Sequence, residues 1–175
     1  MSGRLTRGGV AVDQRASDMR VRMPLLDRLL DDAPAEPKDP VLTPTQAHAD
    51  LLAAVRRDME ALLNARRPWR SIPEGFEALR GSSIGYGLRD FAAGAFNATS
   101  RREQLRAEVH AAIAQFERRL SEVKVELATT APTEATLRLR IHAQLNADPV
   151  QTPIGFDTVV HATTSDIDVR QSRDV

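Results

Sequence analysis

Leu137-Arg138-Leu139-Arg140-Ile141-His142-Ala143-Gln144-Leu145 alternates apolar and polar residues along its whole length. Successive side chains of a strand point to opposite faces, so this segment has one apolar face and one polar face. That is the pattern of an antiparallel sheet covered on one side only. Upstream, Val123, Val125 and Leu127 alternate with Lys124 and Glu126, and Thr130, Pro132 and Thr133 mark a turn between the two strands. Downstream, Asp148-Pro149 ends the long strand, a third strand is expected near residues 154–162, and a short fourth near 167–170.

Ahead of the sheet the period changes from two to between three and four. Ser100-Arg101-Arg102-Glu103 reads as a capping box. Leu105, Val109, Ile113, Phe116 and Leu120 follow as one helical stripe, with Glu117 at its close. An earlier helix is expected from Thr43-Pro44-Thr45-Gln46, a second capping box with proline at the first helical position. Leu51, Leu52, Val55, Met59, Leu62 and Leu63 lie on its apolar side, and Arg56, Arg57, Asp58 and Glu60 toward the other. Pro68 places its end near Arg67. Residues 68–99 between the helices hold Gly75, Gly81, Gly85, Gly87 and Gly94 and read as a loop, with one short helical turn around residues 90–96. Trp69, Phe76, Tyr86, Phe91 and Phe96 fall in this loop, which implies that it is packed down. Helices first and strands afterwards give an α+β fold: two main helices on one face of a C-terminal antiparallel sheet of three to four strands.

The remaining segments follow from composition. Residues 1–22 show no periodicity and read as a disordered tail, and 171–175 are taken as a short C-terminal tail. Residues 23–43 combine the apolar patch Met23-Pro24-Leu25-Leu26-Asp27-Arg28-Leu29-Leu30 with a linker carrying Pro34, Pro37 and Pro40. So short an apolar segment cannot bury itself; it docks on its own domain or on the groove of a partner. The domain proper is expected over 44–170.

Charge and motif content narrow the function. Lys+Arg and Asp+Glu both number 24, a balance that argues against a nucleic-acid partner, which needs a basic surface. The absence of cysteine removes disulfides and thiolate chemistry and fits a reducing compartment. No run approaches the roughly 18 apolar residues that would cross a bilayer, and no signal-peptide pattern is present, so a cytoplasmic location without membrane insertion is expected. His48, His110, His142 and His161 are scattered over separate elements without metal-ligand spacing. Ser82 and Ser83 lack the Gly-x-Ser-x-Gly elbow. Residues 81–87 lack the Gly-Lys-Ser/Thr of a phosphate cradle. No cofactor or metal is expected. Asp90 and Glu117 are the one carboxylate pair to weigh for glycoside cleavage. Arg118 and Arg119 beside Glu117 lower a carboxylate's pKa, whereas a general acid needs it raised. Glu117 therefore suits an ion-pair or interface role. Two positions apart on a helix, Glu117 and Arg119 are expected on different faces, each meeting a separate charge.

Several separated segments resemble, in order, the TssE proteins, the baseplate wedge subunits of bacterial type VI secretion systems. Leu25-Leu26-Asp27-Arg28-Leu29 is similar to their N-terminal Leu-rich peptide. Leu62-Leu63-Asn64-Ala65-Arg66-Arg67 resembles the end of their first helix. Ser83-Ile84-Gly85-Tyr86-Gly87-Leu88-Arg89-Asp90-Phe91 resembles their Tyr-Gly-Leu-Pro-Asp-Phe loop, and residues 113–120 the segment ending in Glu-Pro-Arg-Leu. The chain departs from the pattern at Arg89 and Arg118, where the family usually carries proline. The resemblance implies a non-enzymatic assembly protein that joins other baseplate wedge subunits and helps initiate the contractile sheath. Its partner-binding residues would be Leu25, Leu26, Arg28, Leu29, Glu117 and Arg119. A small anti-adaptor of the same fold and a peptidoglycan hydrolase are the other readings; the Leu25–Leu29 peptide favours the baseplate over the anti-adaptor.

Overall fold

The computed structural model describes residues 24–29, 34–35, 42–67, 72–90, 96, 98–128, 136–147, 150–161 and 163–172. The expected tail over 1–22, Trp69, Phe91, the turn at 130–133 and the Asp148-Pro149 break lie outside these. The described elements are α1 (Leu25–Leu29), α2 (Pro44–Asn64), α3 (Glu77–Arg80), a 3-10 turn (Ser83–Gly85), α4 (Thr99–Phe116), β1 (Leu120–Leu127), β2 (Thr136–Ala147), β3 (Val150–His161) and β4 (Ile167–Gln171). This is the expected α+β order, with one sheet of four strands arranged β1-β2-β3-β4.

The chain groups into two compact units, one reaching to Ala54 with Ala147–Val150 added, the other comprising Val55–Asn146 and Gln151–Val175. The first contains α1 and the start of α2. The capping box there is reciprocal: Gln46 N–H donates to Thr43 Oγ1 at 3.3 Å, and Thr43 N–H donates to Gln46 Oε1 at 3.0 Å. Two orphan donors of the helix start are thereby satisfied. Ala47, Leu51 and Ala54 are buried on this stretch of α2.

The second unit holds the sheet. Leu137, Leu139, Ile141, Ala143 and Leu145 are buried on β2, while Arg138 and Arg140 between them are exposed. Ile154, Phe156, Val160, Ile167 and Val169 extend the same apolar layer across β3 and β4. Val55, Met59, Leu62 and Leu63 of α2 and Leu105, Val109, Ala112 and Ile113 of α4 are buried as well. Each large side chain of this layer contributes about 1.5–3 kcal/mol by leaving water.

Four expectations are corrected. The α4 stripe does not run to Leu120: the helix stops at Phe116, and Leu120 opens β1. Leu120 and Val125 are both buried although five apart, which a regular strand forbids. A one-residue bulge between Ser121 and Lys124, with Glu122 at φ 51°, restores the face. Second, α4 does not use Ser100 as its cap: it begins at Thr99 after Ala98, and Glu103 instead meets Arg106 at 2.7 Å. Third, residues 72–90 contain α3 and the 3-10 turn, which the glycine content hid. Fourth, this segment is not packed down throughout. Phe76 is 55% and Ile84 49% exposed, whereas Leu88 is fully buried. The anchor is backbone: Leu88 N–H donates to Ala65 O at 2.9 Å and Arg67 N–H to Leu88 O at 2.8 Å. Gly87 makes that approach feasible, with φ +95° and a position where a Cβ would lie 2.3 Å from Ala65 O.

Candidate protein-binding site

The end of α4 gathers charge. Past Phe116 the chain leaves helical geometry at Glu117 (φ −101°, ψ 81°) and turns into β1. The turn is held by Leu120 N–H donating to Glu117 O at 3.1 Å and Asn146 N–H donating to Arg119 O at 2.8 Å. Because residues 117–119 form a turn and not a helix, the expectation that Glu117 and Arg119 stay apart is overturned. Arg119 Nε donates to Glu117 Oε1 at 2.6 Å, Arg119 Nη2 donates to Glu117 Oε2, and the Arg119 backbone N–H donates to Glu117 Oε1 at 3.2 Å. The same Nη2 reaches Asp58 Oδ2 on α2 at 2.7 Å. Arg119 thus bridges two carboxylates from distant parts of the chain, and Glu117 is only 6% exposed.

Burial by itself would lower the Arg119 pKa; hydrogen bonding and charge from Glu117, then Asp58, outweigh it and hold the guanidinium above its ordinary value. Tyr86 stands over this cluster. Its ring meets Phe116 edge-on, with centroids 5.3 Å apart. Burial, followed by the negative charges of Asp58 and Glu117, raises its phenol pKa above 10.0.

A second carboxylate, Glu108 on α4, is 8% exposed. It accepts from Arg67 Nη2 at 2.5 Å, from the Arg89 backbone N–H at 3.0 Å and from Arg89 Nε at 3.3 Å. It fastens the loop at Leu88 and the end of α2 to α4. In the sequence Glu108 looks like an ordinary helix residue. The signal was its place in the buried stripe, three after Leu105 and four before Ala112. Arg89 shows what the departure from proline does here, because proline has no N–H to give.

The remaining expected residues are on α1. Leu25, Leu26 and Leu29 are 70%, 58% and 74% exposed, and Arg28 is exposed. Asp90 is exposed at the end of the loop, whereas Glu117 is sealed by its arginine. No group of His, Asp or Glu able to hold a metal occurs among the described residues. His110 and His161 meet the Val123 carbonyl and Asp168, each at 3.1 Å. No described helix is long and apolar enough to cross a membrane.

Such an arrangement braces the turn between α4 and β1 and ties it to α2. A family model described as baseplate wedge protein gp25 matches residues 49–150, from within α2 to the start of β3. No curated protein and no solved structure matches.

Proposed function

Because the chain belongs to the baseplate wedge protein gp25 family, we propose that it is the TssE-type wedge subunit of a type VI secretion system, cytoplasmic and without catalytic activity, which joins other wedge subunits and helps start the contractile sheath. In this reading residues 44–170 are the wedge domain, 23–43 supply a docking peptide and linker, and 1–22 is a tail; the expected tail over 171–175 starts too early, since Gln171 closes β4 and Ser172 N–H donates to Gly155 O. The single observation that carries the reading is the family match spanning the braced junction of α4 and β1.

Two surfaces serve assembly. Leu25, Leu26 and Leu29 put an apolar turn into solvent, and Arg28 adds a charge beside it; a partner groove lined with apolar residues would bury them. Arg119, with 23% of its side chain exposed, presents the Glu117–Asp58 brace at the other surface. Holding a charged group in one geometry before a partner arrives lowers the ordering cost of association.

The experiment is co-purification of the full chain with wedge subunits. Leu26→Asp together with Leu29→Asp should abolish the complex and leave the melting temperature of the isolated protein unchanged. A large fall in melting temperature would show that α1 serves its own domain, and an intact complex would contradict the docking role.

A further inference from the structure

A sheet edge is a row of backbone N–H and C=O groups without a neighbouring strand, and an open edge is a template for another chain. In this sheet the edges are β1 and β4. On β4, His161 N–H donates to Asp166 O and Ser172 N–H to Gly155 O, both at 2.9 Å. Even-numbered residues therefore turn their backbone groups toward β3, and Ile167 and Val169 turn theirs outward. Asn64, the last residue of α2, meets Ile167. Its Oδ1 accepts from Ile167 N–H at 2.9 Å and its Nδ2 donates to Ile167 O at 2.8 Å. These are the two bonds that one residue of an added strand would make. Two turns earlier on α2, Arg56 Nη1 donates to Val169 O at 3.4 Å.

The β1 edge is treated in the same way. Ala128 N–H donates to Arg138 O at 2.9 Å, so Val125 faces outward by the same alternation, and Val123 lies in the bulge before it. His110 Nε2 lies 3.1 Å from Val123 O, and Arg106 Nη1 donates to Val125 O at 3.4 Å. A carbonyl only accepts, so this histidine nitrogen carries the hydrogen. His110 and Arg106 are one turn apart on α4, aligned with the strand.

We infer that Asn64 with Arg56, and His110 with Arg106, are edge guards that stand in for missing strands and stop a second copy of this chain from adding edge to edge. The inference does not depend on the baseplate reading. Packing alone asks for apolar side chains, yet all four are polar and direct their donors at main chain. Asn64 is fully engaged, its second amide hydrogen going to Glu60 O at 2.9 Å.

The test uses the full chain. In Asn64→Ala, the Ile167 amide should exchange with solvent about three- to tenfold faster, the factor that one net hydrogen bond represents. The Ile141 amide, inside the sheet, should keep its rate. Asn64→Asp retains an acceptor and should leave Ile167 slow. Removing all four guards, with Arg56→Ala, Asn64→Ala, Arg106→Ala and His110→Ala, should make the chain self-associate with concentration in sedimentation beyond the wild type measured alongside. If the fourfold variant fails to fold, the Ile167 amide decides alone. An Ile167 rate unchanged in Asn64→Ala, or a folded fourfold variant that stays monomeric where wild type does, overturns the inference.

Discussion

Tyr86 is the sole tyrosine of the chain, so its ionisation can be followed by ultraviolet absorbance without interference. Burial and the charges of Asp58 and Glu117 favour the neutral phenol. A raised pKa means that the folded chain holds this proton longer than the unfolded one. Its contribution to stability is complete below about pH 10 and is lost as pH climbs through the folded value. The titration midpoint should therefore lie above 10 and move down in Asp58→Asn. A midpoint unmoved by that substitution would place Tyr86 outside the cluster. Thr158 supplies a second residue-scale test. It is 1% exposed on β3, and its Oγ1 has no hydrogen-bond partner among the described residues. A buried unpaired hydroxyl costs about 1–3 kcal/mol, and valine has nearly the same shape without it. Thr158→Val should raise the denaturation midpoint by an amount corresponding to about 1–2 kcal/mol; a lowered midpoint would show the hydroxyl to be paired.

At the scale of elements, the loop over residues 81–90 acts through its backbone. Gly75 and Gly87 have nearly the same φ, +92° and +95°, but a Cβ at Gly75 meets nothing within 4 Å whereas one at Gly87 would strike Ala65 O at 2.3 Å. Gly75→Ala should cost about 1–2 kcal/mol from left-handed geometry alone. Gly87→Ala should cost distinctly more in thermal denaturation, because Leu88 must leave its bridge to Ala65 and Arg67. Equal costs would mean that the bridge is dispensable. The elements were unequally legible in the sequence. The alternation on β2 and the capping box of α2 each point to one structure only. The α4–β1 boundary was not legible, because Leu120 continues the stripe of Val109, Ile113 and Phe116 and also begins a strand. Only the bulge at Glu122, a feature of pairing with β2, separates the two readings. The charged cluster was half legible. Glu117 and Arg119 stood out by composition, but their pairing required knowing that the helix ends at Phe116, and Asp58 joins from 61 residues away. Glu108 was hidden for a related reason: its arginine partners lie 19 and 41 residues off.

For the whole molecule, the balance of charge bears on the proposed mode of recognition. In the proposed reading, with acidic and basic residues equal in number, specificity rests on braced local features such as the Arg119 bridge and the apolar turn of α1 rather than on a long-range field. In that reading the chain contributes to assembly by holding shape, in keeping with a wedge family and with two carboxylates closed by arginine. The most direct test of the assembly account is sheath formation in living cells. In bacteria carrying a fluorescent sheath subunit, deletion of this gene should abolish extended sheaths, and supplying the wild-type chain should restore them. Sheaths that assemble at normal number and length without the chain would contradict the account.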